Sequence, residues 1–397
     1  MLGRGQFERR LKGAPWLNHP DTQAIFSLLD GEGLRTRAVG GIVRDTLLGI
    51  ERPGGELDFA TELLPEEVMA RAARRGVAAY PTGFEHGTVT LRLNALAVEV
   101  TTLREDVETD GRHAVVRFGT DWTRDAERRD FTMNALYADM TGALYDPIGG
   151  AGDLAEHHVR FIGDPDRRIA EDRLRVYRFF RFSASHGGER FDPAGLDAVR
   201  RAAGTLGSLS AERVGAEMRR MLELPRIATT LRTMQEVGVL ELPDETVGRL
   251  RSYGVVARHP NFVGRLAVIV AGGAADIQSR WRLSNDEMAR AHTIVAAARL
   301  LEELKVHEAA YRYPAALADA VDVAAVLAGW TEAGKSAVLD QLQHVPLRPF
   351  PVSGVDLLAL GFSPGPRVGA ELQRLEQLWI ESGFTLERDA LLRAARK

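Results

Sequence analysis

At roughly 100–200 residues per domain, the 397-residue chain corresponds to two to four domains. Hydrophobic residues make up 45% of it and cysteine is missing, which excludes a disordered chain, disulfide bonds, thiolate zinc sites and a cysteine nucleophile. The net charge is −4, so any contact with nucleic acid depends on a local basic surface and not on the overall charge.

Neither a leader peptide nor a membrane span is evident in the sequence. The first twenty residues include Arg4, Glu8 and Lys12 and contain no apolar core of the kind a signal peptide has. The longest apolar run, 262–277, is interrupted by Arg265 and falls short of the roughly 20 residues that span a bilayer. The sequence therefore predicts a cytoplasmic protein.

Strand and helix signals alternate over the first 150 residues. In chain order they predict a strand ending at Val39, a helix over 43–48, a strand over 56–60, a helix over 65–75, and two strands over 88–93 and 97–103. Proline in the first turn marks the start of the second helix, and Asn94-Ala95 is typical of a hairpin between the last two strands.

Helical periodicity dominates from about residue 160 to the carboxyl end. In the last long helix, apolar residues recur at i, i+4, i+7 and i+11, which are Val368, Leu372, Leu375 and Trp379. Gly383 then closes the helix. The sequence therefore predicts an α/β head followed by a long helical body.

The first candidate binding feature is the pair Gly40-Gly41, which stands between a strand and a helix. Glycines at such a turn let backbone amides approach a phosphate closely, and Arg44 adds a charged donor in the first helical turn. A plain turn explains the same pair. The pair indicates a phosphate site only in combination with other features.

Two carboxylates follow a short distance along the chain. Glu56 and Asp58 are two residues apart in the predicted strand, so their side chains share one face. Adjacent carboxylates repel unless a cation neutralises them, and oxygen-only ligation suits magnesium. An ordinary polar strand face is the alternative, but a position just beyond the glycine pair favours metal-assisted phosphoryl transfer.

A third group, Arg128-Arg129-Asp130, precedes an apolar run that contains Asn134. Two guanidinium groups beside an acid and an amide are suited to a triphosphate and to ribose hydroxyls. The alternative interpretation is a capped helix start with a solvated basic face.

The fourth group contains Asp172 and Arg175, which are neighbours if they lie on one helix. An acid beside a guanidinium offers an acceptor and donors in a fixed array that matches the edge of a nucleobase. A surface salt bridge is the alternative, but arginines at positions 178 and 181 continue the same helix face.

In this order and spacing, the four groups resemble the family of class II tRNA nucleotidyltransferases and bacterial poly(A) polymerases. The resemblance covers about residues 35–225; segments 82–89 and 99–104 look like the family's hairpin region, and 210–217 like its supporting motif. The resemblance implies an α+β fold. Residues 1–150 would form a polymerase-β-like nucleotidyltransferase head built on a mixed or antiparallel sheet. Residues 151–225 would form an all-helical, base-selecting neck, and residues 226–397 a helical, tRNA-binding body and tail.

The resemblance also implies the activity. CMP and AMP would be transferred without a template from CTP and ATP to the 3′ end of tRNA, with release of pyrophosphate and with Mg²⁺ as cofactor. The acceptor arm of tRNA would be the partner, with no protein partner and no membrane. The basic signature of the poly(A) polymerases is not seen in the hairpin region, which favours the tRNA branch.

Individual roles follow from the positions that match the family's motifs. The incoming triphosphate would be held by Gly40, Gly41 and Arg44, with Arg128 also on phosphate, and the catalytic metal ligands would be Glu56 and Asp58. Ribose would be distinguished from deoxyribose by Arg129 and Asp130. The base would be selected by Asp172 and Arg175, the nucleotide site would be completed by Arg178, and the base-selecting helix would be braced by Glu212 and Arg213.

One residue departs from the family pattern. The first catalytic carboxylate is usually aspartate, and here it is Glu56, whose extra methylene moves the oxygens. Glu99 on a neighbouring strand is the candidate third metal ligand. Segment 105–117 corresponds to the flexible loop that the family places between its metal and ribose motifs.

Several other functions fit parts of the pattern. A CC-adding or A-adding enzyme, a poly(A) polymerase and a non-catalytic RNA-binding paralogue would share most of these residues. A sugar-nucleotide glycosyltransferase accounts for the acid pair, but it leaves the groups at 128–130 and at 172 and 175 unexplained.

Overall fold

The structure is a computed structural model that describes residues 3–51, 56–110, 113–274 and 276–396, with the backbone alone over 105–110 and 113–116. The strands of these residues are β1 Thr36–Val39, β2 Leu57–Thr61, β3 Ala78–Gly83, β4 Thr88–Leu93, β5 Leu96–Thr102, β6 Arg104–Asp110, β7 His113–Phe118, β8 Tyr137–Ala138 and β9 Leu144–Tyr145.

Helices surround and follow these strands. The α-helices of the head and the region after it are α1 Arg4–Lys12, α2 Pro15–Asn18, α3 Pro20–Leu28, α4 Gly41–Leu48, α5 Pro65–Arg74, α6 Trp122–Glu127, α7 Gly150–Ala155, α8 Pro165–Glu171, α9 Arg175–Ser185, α10 Pro193–Ala202 and α11 Ala211–Leu222. Those that follow are α12 Ala228–Glu236, α13 Asp244–Val256, α14 Phe262–Ala271, α15 Ile277–Arg280, α16 Asn285–Glu302, α17 Val306–Arg312, α18 Leu317–Ala328, α19 Glu332–Gln343, α20 Gly354–Ala359, α21 Pro366–Glu381 and α22 Arg388–Arg393. Short 3-10 turns lie at Phe84–His86, Thr132–Asn134, Ala203–Ser208 and Pro314–Ala316.

Seven strands form one mixed sheet in the order β3-β4-β5-β2-β1-β8-β9. Strands β2 and β5 pair in parallel and the other neighbours pair antiparallel. The mixed sheet and the helical remainder of the chain confirm the predicted fold class. No helix of the described residues is both long and apolar enough to cross a bilayer.

The chain divides into two compact units. One comprises Met1–Glu217 with Thr233–Leu240, and the other comprises Met218–Arg232 with Glu241–Lys397. The sheet and the residues of the four candidate groups belong to the first unit. The division into head, neck and body at residues 150 and 225 stays a prediction.

Most of the local elements follow the sequence pattern. The hairpin of β4 and β5 turns at Asn94, whose φ of 53° is tolerated by asparagine. Helix α5 starts at Pro65 and buries Val68 and Ala72. Phe26 and Phe59 pack edge to face, with ring centroids 4.7 Å apart, in the core of the head.

Two predicted features are wrong. Segment 105–117 was predicted as a loop, but its described residues, 105–110 and 113–117, lie in β6 and β7, which pair as a sheet of their own. Asp172 and Arg175 do not share one helix, because α8 ends at Glu171, Asp172 adopts an extended φ of −150° as its C-cap, and α9 starts at Arg175. This break changes how the two side chains are held.

Candidate active site

Asp58 lies at the centre of a cross-strand row of residues in the mixed sheet. Its Cα is paired with that of Val39 in β1 on one side and with that of Glu99 in β5 on the other. Residues directly opposite each other point to the same face of a sheet, so Asp58 and Glu99 present their carboxylates together. Glu56, two residues before Asp58 and just outside β2, is exposed beside them.

The environment of Asp58 disfavours its negative charge. Burial, followed by the carboxylates of Glu99 and Glu56, raises the pKa of Asp58 to about 6, and Arg129 opposes this effect. A half-buried carboxyl group whose pKa is raised by burial and by neighbouring carboxylates is a candidate functional residue. Glu99, which sequence reasoning proposed as a third ligand, is the strongest of the charged neighbours that raise it.

Replacing Glu99 tests this electrostatic coupling directly. We expect Glu99→Gln to lower the pKa of Asp58 from about 6 toward its usual value, because the largest charge repulsion is removed while the side-chain shape is kept. Carboxyl ¹³C NMR titration of the metal-free protein measures this pKa. Glu85→Gln, at an exposed position in the 84–86 turn, is the control, and an unchanged pKa in Glu99→Gln would contradict the coupling.

The glycine turn lies beside this row. Gly40 follows Val39 directly and has a φ of 76°, a conformation that favours glycine, and Gly41 begins α4. A side chain at Gly40 would point toward Arg129, whose Nη1 lies 4.0 Å from the ideal Cβ position. The turn and Arg129 therefore border the same space on the β1 side of Asp58.

Arg44, predicted to bind phosphate, is buried and holds internal partners. Its Nη1 donates to Asn134 Oδ1 at 2.6 Å, and its Nε donates to Asp45 Oδ1 at 2.8 Å. Asp45 Oδ1 also lies 3.1 Å from Nε2 of the buried His186, whose Nδ1 is bonded to Ser185. Asp45 thus joins the glycine-turn helix α4 to the end of α9, and Arg44 joins α4 to Asn134. A direct contact of Arg44 with phosphate stays a prediction.

Asp125 fixes the two adjacent arginines, and sequence reasoning missed it. Its carboxylate contacts Arg128 Nη2 at 2.7 Å and Arg129 Nη2 at 3.1 Å, and it accepts a hydrogen bond from the Tyr137 hydroxyl at 2.9 Å. Burial alone would raise the pKa of Asp125, but Arg129 and Arg128 lower it to about 2. The signal was in the sequence, because residues three and four apart on a helix are neighbours.

Asp130 is a buried acceptor between two elements. Its Oδ2 contacts Arg178 Nη2 at 2.6 Å, and its Oδ1 accepts hydrogen bonds from the Asn134 side-chain amide at 2.9 Å and from the Phe131 backbone amide. Burial opposes its charge, but Arg178 and then Asn134 hold the pKa of Asp130 at about 2. Because Arg44 binds the same Asn134, Asp130 and Arg178 belong to one network with α4.

The base-selecting candidates meet at the junction of α8 and α9. Asp172 Oδ2 is 2.7 Å from Arg213 Nη2, and its Oδ1 accepts the Leu174 amide. Arg175 Nη1 is 2.7 Å from Glu171 Oε2 and donates to a carbonyl of α8. The bracing role predicted for Arg213 agrees with this contact.

The position of α9 is also fixed from its other side. Arg181 Nε donates to Glu217 Oε2 at 2.6 Å, and Glu217 Oε1 lies 3.6 Å from Arg178 Nη1. Glu217 is almost completely buried. The arginine row of α9 is therefore bound by buried acids and is not a solvated basic stripe.

The arrangement resembles that of known polymerases. Residues 36–160 match the family model for the poly A polymerase head domain, and 190–243 match that for the probable RNA and SrmB-binding site of polymerase A. The crystal structure of the Bacillus stearothermophilus CCA-adding enzyme in complex with CTP has a TM-score of 0.75 and 27% identity, over 95% of this chain and 97% of that chain. Fold and site together define a nucleotidyltransferase with a poly(A) polymerase-type head.

Curated relatives narrow this class. The mitochondrial CCA tRNA nucleotidyltransferase 1 of Mus musculus is 32% identical over 96% of this chain and 93% of its own length, and that of Danio rerio is 36% identical over 90% and 86%. The CCA-adding enzyme of Limosilactobacillus fermentum is 30% identical over 94% and 95%. The chain belongs to the family of CCA-adding tRNA nucleotidyltransferases.

Proposed function

We propose that this protein adds CMP and AMP, taken from CTP and ATP, to the 3′ end of tRNA and releases pyrophosphate. The observation that carries the proposal is Asp58, which stands in one row between Glu99 and the strand that ends in the glycine turn. This places paired carboxylates beside a candidate triphosphate pocket, as transfer of a nucleotidyl group requires.

A divalent metal is general among nucleotidyltransferases of this family, and we propose Mg²⁺ for this chain. Glu56, Asp58 and Glu99 offer only carboxylate oxygens. The pKa of Asp58 is raised by burial and then by repulsion from Glu99 and Glu56, and a cation would relieve that repulsion. When bound, Mg²⁺ would neutralise these carboxylates and polarise the α-phosphate. Among the described residues, no group of three or more His, Asp and Glu side chains forms a ready-made metal site, so the ligands would adjust on binding.

The chain's own residues would bind and orient the substrates. The amides of Gly40 and Gly41, with Arg128 and Arg129, would hold the triphosphate on the β1 side of Asp58. Asp125 keeps both guanidinium groups in place, so little ordering remains to be done when the nucleotide binds. The 3′-hydroxyl of the RNA would then attack the α-phosphorus as pyrophosphate leaves.

Base and sugar recognition would come from the residues around α9. Arg129, with Asp130 and Arg178 behind it, would distinguish the ribose, and Asp172 with Arg175 would read the base edge. The latter pair is held by Arg213 and Glu171, which fixes the direction of its donors and acceptors. The helical neck over 151–225 would thus select the base, and the helical body and tail over 226–397 would bind the tRNA. A cytoplasmic location stays a prediction.

A panel of shortened acceptors tests the function. Four tRNAs lacking 0, 1, 2 or 3 terminal nucleotides are incubated with Mg²⁺ and each labelled nucleoside triphosphate, and product lengths are read on a sequencing gel. We expect each shortened tRNA to be extended to CCA and no further. Arrest after CC, addition of A alone, or long A tails would identify one of the partial or polymerase activities, and no incorporation would contradict the proposal.

A further inference from the structure

The mixed sheet has an open face next to the candidate active site. The cross-strand row that contains Asp58 continues from Glu99 to Thr90 in β4 and to Tyr80 in β3. Tyr80, at the edge of the sheet, is 49% exposed. The opposite face of β4 and β5 is buried, with Val89, Leu91, Val98 and Val100 in the core.

Hydroxyl groups cover the open face of β3, β4 and β5. The side chains of Thr82 and Thr90 are hydrogen-bonded at 2.8 Å, and those of Thr88 and Thr101 at 3.1 Å. These bonds join neighbouring strands, which confirms that the four residues share the face that carries Tyr80. Arg92, in the next row, is exposed on the same side.

The two sides of Asp58 differ in chemistry. The β1 side has the glycine turn and Arg129, which are suited to a triphosphate. The β5, β4 and β3 side has the Glu99 carboxylate next to Asp58 and, beyond it, hydroxyls, one exposed aromatic ring and an arginine. The outward positions of β3 and β4, which are 78, 80, 82, 88, 90 and 92, include no carboxylate that would repel a phosphate.

In nucleotidyl transfer the attacking and leaving oxygens lie roughly in line through the phosphorus. If the triphosphate occupies the β1 side, the attacking 3′-hydroxyl has to approach from the β5 side. The acceptor strand that ends in this hydroxyl must then run over the open face. Tyr80 lies three strands from Asp58, which is about 14 Å at the usual spacing of about 4.8 Å between strands.

We infer that the open face of β3, β4 and β5 is the binding site for the last nucleotides of the RNA acceptor, an inference that rests on the proposed function. Tyr80 stacks on a base, and the threonine hydroxyls with Arg92 contact ribose and phosphate. Stacking and hydroxyl contacts tolerate any base. This tolerance is required here, because the terminal base of the acceptor changes after each addition.

The test compares three variants at an exposed position of the head. Tyr80→Ala removes the ring, Tyr80→Phe keeps it, and Leu64→Ala removes a similarly exposed apolar side chain (47%) that lies outside the open face. We expect Tyr80→Ala to raise the KM for shortened tRNA by at least about fivefold, the lower end of base–aromatic stacking, with the KM for CTP unchanged. Tyr80→Phe and Leu64→Ala should resemble the wild-type protein.

A scan with abasic nucleotides separates stacking from a general loss of structure. A single abasic residue replaces each of the last four bases of the acceptor in turn. At one position the abasic change should weaken the wild-type protein but have little further effect on Tyr80→Ala. The inference would be overturned if the abasic change raised the KM for RNA equally in both proteins at every position, or if Tyr80→Ala had the wild-type KM for RNA. A wild-type protein that incorporates no nucleotide would overturn the proposed function instead.

Discussion

Asp58→Asn is expected to reduce incorporation of CMP by about a hundredfold or more, because it removes the central carboxylate of the site. The folded protein should remain intact, since asparagine has the same shape. Initial rates with labelled CTP and shortened tRNA measure the loss. An Asp58→Asn protein that retains half of the wild-type rate would contradict the catalytic assignment.

Although Asp58→Asn should lower the activity, it should raise the stability of the folded protein. The pKa of Asp58 is raised from 3.8 to about 6 in the folded protein, so between these pH values the folded state holds a proton that the unfolded chain releases. The contribution of this group to stability therefore falls as the pH rises from about 4 to 6 and stays low above 6. Asparagine carries no charge and escapes this loss.

Thermal unfolding in the presence of EDTA tests the prediction. We expect Asp58→Asn to be more stable than the wild-type protein above pH 6, and the difference to vanish below about pH 4. Added Mg²⁺ should raise the Tm of the wild-type protein and have little effect on the variant, because a ligand stabilises the state that binds it. If the variant were less stable than the wild-type protein at pH 8 without metal, the surroundings of Asp58 would favour its charged carboxylate, which would contradict the prediction.

Asp172→Ala is expected to impair the choice of nucleotide more than the binding of RNA. A bidentate contact to a base edge is worth about 1–3 kcal/mol of discrimination. The ratio of kcat/KM for CTP to that for UTP should accordingly fall by roughly five- to 150-fold, with the KM for tRNA unchanged. Arg213→Ala should give a weaker effect in the same direction, since Arg213 positions Asp172 through a 2.7 Å contact.

The helix that precedes Asp172 offers a matched control for this experiment. Asp166, in the first turn of α8, forms an exposed pair with Arg201 at 2.6 Å. Asp166→Ala removes a carboxylate and an ion pair just as Asp172→Ala does, but an exposed pair of this kind contributes little. Equal selectivity in the wild-type protein and Asp172→Ala, combined with weaker tRNA binding, would assign Asp172 to the RNA and not to the base.

The features that depend on local chain geometry could be predicted from the sequence. The glycine turn, the alternation of Glu56 and Asp58, and the hairpin at Asn94 follow from backbone preferences and from a period of two. The arginine face of α9 follows from the helical period. Each of these signals lies within a few residues, where covalent geometry limits the alternatives.

The features that depend on distant partners could not be predicted in the same way. Helix α8 ends before Asp172 because the Asp172 carboxylate caps the Leu174 amide and binds Arg213, 41 residues away. Arg44 was expected in the phosphate pocket, but its partner Asn134 lies 90 residues further along the chain. A single sequence without tertiary contacts gives no information about such pairings.

The buried polar network of the first unit has a consequence for fidelity. It runs without interruption from His186 and Asp45 through Arg44 and Asn134 to Asp130 and Arg178, so the two ends of α9 are connected through α4. A mismatched base that tilts α9 would therefore also displace the glycine turn, which we propose as the phosphate site. We expect errors to be rejected as slow chemistry after the wrong nucleotide has bound, and not only as weak binding.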